Sequence, residues 1–353
     1  MVTERRKVLV ALSGGVDSST AAALLCREGY DCAGVFMITN DAARHAQMDA
    51  EAVARKLGIE LHVLDLRKDF EVILDYFCGE YRRGRTPNPC VLCNRLIKFG
   101  KLWDFAQTKG AQFLATGHYA RILRPDGVAG LCEAANRAKD QSYVLAMIER
   151  NMLANIILPM GDYSKDQTRQ MAAKFGLGTE HHEESQEICF IPDDDYVALL
   201  EQRCPELVRK GRIVDRAGKV LGEHEGVHRY TIGQRRGLRV AMGTPYYVTK
   251  LDAPGNTVTL GPKDEVMHKK LRVVGTNWLI EEPDSSFRAR VKIRYNDRGA
   301  SATVARQQDG AVIEFDEPVS AITPGQLAVF YVEQEGLSRI IGGGWIDTVL
   351  PEC

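Results

Sequence analysis

Residues Leu9 to Thr20 read LVALSGGVDSST, an apolar strand, a glycine turn and a small-residue helix in immediate succession. That order suits a nucleotide phosphate. Ser13, Gly14 and Gly15 let the backbone turn tightly and come close to a ligand, as only residues with little or no side chain allow. A helix opening near Ser18 aims unsatisfied N–H groups and the positive end of its dipole at an anion. Ser18, Ser19 and Thr20 add hydroxyls at the same end. No lysine follows the turn, so it is not the GxxxxGK[ST] loop that cradles a triphosphate. On these residues alone, a tight strand-to-helix turn of any α/β domain stays open as the second reading.

The second chemical signal is thiol. The loop GRTPNPCVLCNRLIKFG carries Cys90 and Cys93, and far downstream SQEICFIP carries Cys189. A cysteine at a helix N-terminus, near the Arg82, Arg83 and Arg85 cluster, has its thiolate favoured as nucleophile or ligand. Pro87 and Pro89 are expected to keep the first loop irregular, with Asn94 capping the helix that follows. A closed zinc site wants four ligands, usually in two close pairs. Only His181 and His182, behind a glutamate pair, stand near Cys189. Three cysteines fit an open site better, either a redox pair or an iron–sulfur cluster with one exposed iron. Cys26 and Cys32 fall in predicted element interiors and are expected in the core.

These groups need elements to hold them. Apolar runs predict strands at 8–12, 32–37, 60–64 and 112–116, with helices at 18–28, 41–57, 70–81 and 95–109 between or after them. Gly29, Gly58 and Gly110 stand where helix C-terminal glycines belong. The alternation predicts an α/β, doubly wound parallel sheet with ligands at the carboxyl ends of its strands. From about residue 200 the pattern changes. Residues 212–220 read as a hairpin around Ala217-Gly218, followed by the loop HRYTIGQRRGLRV. VKIRY, SATVARQ, AVIEFD, QLAVFYVE and RIIGGGWI then predict a C-terminal antiparallel β-barrel. The expected division is 1–203 for the nucleotide domain, 204–266 for a small central domain and 267–353 for the barrel.

Composition bounds the class. At 353 residues with 44% hydrophobic and 26% charged content, several soluble domains are expected. No apolar run reaches membrane-spanning length, and MVTERRKVLVAL runs directly into the first strand, so neither membrane nor export is expected. The setting is then cytoplasmic, where the nine cysteines are thiols and closely spaced ones need a chemical reason. A net charge of −1 does not announce nucleic acid. Yet Arg82–Arg85, Arg235, Arg236 and Arg239, then Lys269, Lys270 and Arg272, and a stripe of Arg288, Arg290, Lys292, Arg294 and Arg298, are basic clusters. They read either as solvated surface or as a track for a phosphate backbone.

SGGVDSS resembles the loop of enzymes that split ATP between its α and β phosphates, which implies that Asp17 helps to hold Mg²⁺. With TPNPxxxCN, ATGHYAR, KDQSYVL, SQEICFI, YTIGQRRGL and TPGQLAVFY in order along almost the whole chain, the sequence resembles the tRNA-specific 2-thiouridylase family. The resemblance implies a PP-loop catalytic domain, a central domain and a tRNA-binding barrel. It also implies that ATP binds at Ala11, Leu12, Ser13, Gly14, Gly15, Val16, Asp17, Ser18, Met37 and Gly117. The wobble uridine's 2-oxygen is adenylated, because AMP leaves far more readily than a carbonyl oxygen. The resemblance implies that Cys189 carries sulfur as a persulfide and that Cys93 frees it and closes a Cys93–Cys189 disulfide. Asn88, Pro89 and Cys90 map to the target-base contact. Lys139, Asp140, Gln141, His118, Arg294, Tyr295 and Gln326 map to tRNA contacts. The unstacked base of a loop suits such a site. The implied partners are tRNA and a sulfur donor, either a protein or inorganic sulfide, with the enzyme a monomer.

Two departures bear on the sulfur route. Cys90 stands where the family pattern carries an acidic residue, and the insert after the second strand is shortened to ITNDAARHAQ. Cys90, Cys93 and Cys189 could instead ligate a 4Fe–4S cluster that delivers hydrosulfide, as in a subset of related thiolases. Rival functions are an ATP-splitting, amide-forming synthetase, a non-catalytic RNA-binding protein and a zinc-stabilised scaffold. None of these needs the full set of motifs.

Overall fold

The computed structural model describes residues 5–351 except 125–126, 183–187, 192–194, 239, 241–242, 282 and 335. Ser185, Gln186, Glu187 and Pro192 of the second cysteine motif, and Arg239 of the central basic cluster, therefore lie outside the described residues. The chain forms two compact units that interleave along the sequence: Met1–Val72, Cys90–Gln186 and Glu333–Ile341 in the first, and Ile73–Pro89, Glu187–Val332 and Gly342–Cys353 in the second. Among the described residues no helix is long and apolar enough to cross a membrane.

The chain begins β1 (Lys7–Ala11), α1 (Val16–Arg27), β2 (Asp31–Ile38), α2 (Arg44–Leu57), β3 (Leu61–Asp65) and α3 (Arg67–Arg82). It continues through α4 (Pro89–Cys93), α5 (Leu102–Thr108), β4 (Phe113–Ala115), β5 (Arg121–Leu123), β6 (Gly130–Cys132), β7 (Ile156–Ile157) and α6 (Lys165–Lys174). Five strands form a sheet in the order β3-β2-β1-β4-β7, and every pairing in it is parallel. The central position of β1 follows from its sequence. KVLVA is a near-continuous apolar run, which only a strand covered on both faces can bury, and Val8, Leu9 and Val10 are fully buried. Val8 and Val10 pack with Leu12, Ala22, Leu25, Phe36 and Val53; burying each large aliphatic side chain contributes about 1.5–3 kcal/mol. α2 ends on Gly58 in the left-handed conformation (φ 66°), as its sequence predicts. The sheet matches the expected doubly wound class.

One boundary is corrected. The predicted helix at 95–109 begins at Pro89 and runs through α4, a π-helical stretch at Asn94–Lys101 and then α5. Proline lacks only an N–H that the first turn leaves unpaired anyway, and its fixed φ suits the first helical position. Pro89 thus starts the helix instead of holding it off. Asn94 is interior, not a cap: its amide donates to the Val144 carbonyl at 3.0 Å. Cys26 and Cys32 are half-buried rather than core. Their mutual thiol hydrogen bond lowers the pKa of Cys26 and, with burial, raises that of Cys32.

In the second unit α7 (Tyr196–Arg203) precedes the central sheet of β8 (Gly211–Asp215), β9 (Val220–His224), β10 (Tyr247–Asp252) and β11 (Thr257–Gly261), ordered β10-β11-β8-β9. β8 and β9 form the expected antiparallel hairpin, and Ile213, Val248, Val258 and Leu260 supply the core. Strands β12 (Met267–Trp278), β13 (Ser286–Lys292), β14 (Ala300–Gln307), β15 (Gly310–Ser320), β16 (Leu327–Gln334) and β17 (Leu337–Val349) follow. Pairing of β12 with β17 closes them into an antiparallel barrel.

Candidate active site

The carboxyl end of β1 delivers the chain into the turn at Leu12–Gly15. Gly15 stands before α1 without any side-chain cap, so the first N–H groups of α1 are left for an external anion. Hydroxyls set the turn's shape. Ser18 Oγ accepts from Ser13 N at 3.1 Å and donates to Gly15 O at 3.1 Å, and Ser19 Oγ donates to Gly15 O at 2.8 Å. Gly14 has φ +79°, and a Cβ there would stand 2.5 Å from the Ala46 carbonyl oxygen. Gly117, just past β4, runs so close to α1 that a Cβ would lie 2.7 Å from Ser18 N. Ala11, Leu12 and Val16 are the apolar supports of this cradle, while Ser13 is exposed. Met37 is half-buried near the end of β2, the strand beside β1. Backbone amides, hydroxyls and a close backbone approach that only glycine allows fit a phosphate ester.

Asp17 is not free. Lys165 Nζ lies 2.8 Å from both its carboxylate oxygens. The Tyr119 hydroxyl donates to Asp17 Oδ1 at 2.7 Å and lies 2.9 Å from Thr168 Oγ1. Neither Lys165 nor Thr168 was among the sequence-derived candidates. The S-x-x-Q run at Ser164–Gln167 could have flagged Lys165, because it forms a capping box that fixes this residue as the first of α6.

His118 and the KDQ triplet shape the loop after β4. The His118 ring is buried, 2.7 Å from Thr116 Oγ1 through Nδ1, and burial, with the Lys98 charge, pushes its pKa well below the usual histidine value. Asp140 is buried and accepts from Ala134 N, Ser142 N and Ser142 Oγ. Gln141 Oε1 accepts from Tyr119 N at 3.0 Å. Asp140 and Gln141 therefore hold backbone, and Lys139 is half-buried. His224 and His228 are also buried, and burial lowers their pKa values too. A depressed histidine pKa means that the unfolded chain takes up the proton first. The contribution to stability is complete above pH about 6.5 and is lost as pH falls below it. The melting temperature is expected to drop between pH 6.5 and 5, and His118→Gln is expected to flatten that dependence. An unchanged slope in a pH series of thermal melts would sink this account.

Cys93 is buried in α4 and Cys90 half-buried. The Arg82, Arg83 and Arg85 cluster is committed elsewhere, to Glu206, to Glu80, and to Glu80 with Asp347 respectively. It is no free positive field for a thiolate. In the second unit Asn88 N donates to the Tyr76 hydroxyl at 3.3 Å, while Pro89 is buried. Gln326 donates to the Thr86 and Pro87 carbonyls at 3.1 and 2.9 Å, which fixes the TPNP loop from the barrel. Arg294 donates to the carbonyls of Ile232 and Ala321 and to Thr323 Oγ1, whereas Tyr295 is 40% exposed. The strand-face stripe is likewise partly engaged. Arg288 pairs with Asp316, while Arg290 and Lys292 lie over the Tyr331 ring at 4.6 and 4.9 Å.

Cys189 is exposed, but its neighbours are anchored. Ile188, Phe190 and Ile191 pack with Phe77, Tyr81 and Leu200, and Phe190 meets Phe77 edge-on at 5.5 Å. Among the described residues no three His, Cys, Asp or Glu side chains group to hold a metal ion. No step is assigned to a cluster.

Family models match in the same order as the elements. One described as a tRNA methyl transferase HUP domain covers residues 6–193, a tRNA methyl transferase PRC-barrel domain covers 198–262, and an aminomethyltransferase beta-barrel domain covers 268–346. The chain is 44% identical over 355 residues to the tRNA-specific 2-thiouridylase MnmA of Syntrophotalea carbinolica, covering 98% of this chain and all of that one. It is 45% identical to the protein of the same name from Pelobacter propionicus, with 98% of each chain covered. Among solved structures, a 4-thiouridine synthetase–RNA complex with bound ATP overlaps 57% of this chain and 51% of that one, at 18% identity and a TM-score of 0.34.

Proposed function

Because the chain belongs to the tRNA-specific 2-thiouridylase family, we propose that it replaces the 2-oxygen of the tRNA wobble uridine with sulfur at the expense of ATP. One observation carries this reading: relatives of that name align over 98% of the chain at 44% identity. The cradle of Gly14, Gly15, Ser18 and Gly117 supports an ATP phosphate site with the nucleotide also touching Met37. Asp17 is the carboxylate suited to the accompanying Mg²⁺, whose chemistry would be neutralisation of charge on the departing pyrophosphate.

The proposed sequence balances. The uridine 2-oxygen bonds to the α-phosphorus of ATP, and the bridging α–β bond breaks with its electron pair going to pyrophosphate. Cys93 thiolate attacks Sγ of the Cys189 persulfide, forming the Cys93–Cys189 disulfide and releasing hydrosulfide. Hydrosulfide adds at C2 of the adenylated base, and AMP leaves. The terminal sulfur is reduced by the two electrons that the cysteines lose, so a thiol reductant and a persulfide donor must reset the enzyme. Exposure of Cys189 supports loading by a donor protein, and burial of Cys93 supports a nucleophile shielded from adventitious oxidation.

On this reading Asn88, Pro89 and Cys90 meet the target base, while Lys139 and Tyr295 contact the RNA. Asp140, Gln141, His118, Arg294 and Gln326 act by holding the loops. The functional division is 1–203, 204–266 and 267–353, with the chain acting as a monomer in the cytoplasm. Incubation with unmodified tRNA, ATP, Mg²⁺ and a persulfide donor is expected to give uridine carrying the mass gain of an oxygen-to-sulfur exchange. A methyl gain instead, or thiolation without ATP, would overturn the reading.

A further inference from the structure

Lys165 is placed against the preference of its own helix. A cation in the first turn of an α-helix faces the positive end of the dipole and is disfavoured, yet Lys165 opens α6, whose start is fixed by the Ser164–Gln167 capping box. Its side chain is only 12% exposed, so the ammonium is not simply solvated. It reaches across to Asp17, 148 residues earlier, and bridges both oxygens of that carboxylate. Asp17 itself needs no such partner for local reasons: an acid in the first turn of α1 is already favoured by that helix's dipole, and Tyr119 donates to it as well. A residue set against a local rule beside a glycine turn and an uncapped helix start marks function more than stability.

The glycine turn and the start of α1 lie directly beside the pair. Gly117 approaches so closely that a Cβ would sit 2.8 Å from the carbonyl carbon of Asp17 and 2.7 Å from Ser18 N. An anion in that cradle therefore meets the Asp17 carboxylate. Two anions at such range repel strongly where water is scarce, and a cation must come between them. The structure holds one within reach.

We propose that Lys165 is the phosphate-binding cation of this nucleotide site. Without nucleotide its ammonium neutralises Asp17; with MgATP it passes to the β and γ phosphates, and Asp17 faces the metal. The assignment rests on the ATP-splitting reading given above. Lys165 donates hydrogen bonds only and keeps its protons. What it stabilises is the charge that collects on pyrophosphate as the bridging bond breaks.

Binding to the full chain tests this without turnover. Affinities for MgATP and for adenosine are measured by calorimetry in the wild type, Lys165→Met, Lys165→Arg, Asp17→Asn and the double variant Asp17→Asn/Lys165→Met. A charge-assisted hydrogen bond predicts a loss in MgATP affinity of about 10- to 100-fold in Lys165→Met. Adenosine affinity is expected to hold, and Lys165→Arg to retain most of the MgATP affinity. The double variant is expected to bind MgATP about 10- to 100-fold more weakly than Asp17→Asn alone. Equal affinities of those two would mean that Lys165 merely balances Asp17, which overturns the assignment. A parallel loss of adenosine binding in Lys165→Met would point to damaged structure and also overturns it. A wild-type chain that binds adenosine but gains nothing from the phosphates defeats both this assignment and the reading beneath it. Wild-type phosphate dependence that survives in Lys165→Met defeats the assignment alone.

Discussion

Thiouridine formation is expected to fall more than about a thousandfold in Cys93→Ser, while tRNA-dependent release of pyrophosphate from ATP continues. The two halves of the result come from different atoms. On the proposed reading adenylation draws on the cradle around Ser18 and Gly117, which contains no thiol. Liberation of sulfur needs a soft, readily ionised nucleophile, which a serine hydroxyl is not. Cys93 is the last residue of α4 and is buried, so the exchange of sulfur for oxygen leaves the shape nearly intact and the variant folds. Cys189→Ser is expected to give the same pattern, since it removes the sulfur carrier from an exposed site. Cys90→Ser separates the two delivery routes. A persulfide scheme predicts retention of most thiolation, because Cys90 takes no part in the electron count. Loss as deep as that of Cys93→Ser, together with iron in anaerobically purified protein, would replace the persulfide route by a three-cysteine cluster. Mass analysis of tRNA nucleosides and a pyrophosphate assay on the same samples read both halves.

What the sequence revealed and what it hid have a common physical basis. β1 was legible because KVLVA needs apolar cover on both faces, which only the middle of a parallel sheet supplies. The hairpin of β8 and β9 was legible because Gly218, at φ +83°, makes its turn locally. Lys165 was not legible as a site residue, since its partner Asp17 lies 148 positions away and only the fold brings them together. The arginine clusters stayed open to two readings for the same reason. Arg82 is held by Glu206 and Arg288 by Asp316, pairings invisible to a count of like charges along the chain. Pro89 misled for a different one: the same residue both breaks a helix interior and opens a helix, and local sequence did not decide between them. The motif assigns Gln326 to RNA, and its amide also donates to the carbonyls of Thr86 and Pro87. A motif records that a residue matters, and the hydrogen bonds record through which atoms.

Three glycine-to-alanine changes are expected to separate backbone freedom from ligand space. Gly29→Ala places a residue at φ +85°, but with nothing within 4 Å of the added carbon. Its expected cost is about 1 kcal/mol of stability, with MgATP affinity unchanged. Gly117→Ala has the opposite character. No left-handed conformation is involved, but the added carbon meets Ser18 N at 2.7 Å and Asp17 C at 2.8 Å. Both are backbone atoms of α1's first turn, which cannot swing aside as a side chain can. The loop after β4 must back away, opening the cradle by several tenths of an ångström. MgATP affinity is expected to fall at least about 100-fold, since oriented amide donors weaken steeply with misplacement. Gly14→Ala combines the two costs, at φ +79° with the Ala46 carbonyl oxygen 2.5 Å from the new carbon. It should lose about 1–3 kcal/mol of stability as well as nucleotide binding. Thermal melts paired with MgATP titrations resolve the three. If Gly117→Ala binds MgATP as tightly as the wild type, the phosphates do not sit between β4 and α1, and the site must be sought elsewhere on the sheet.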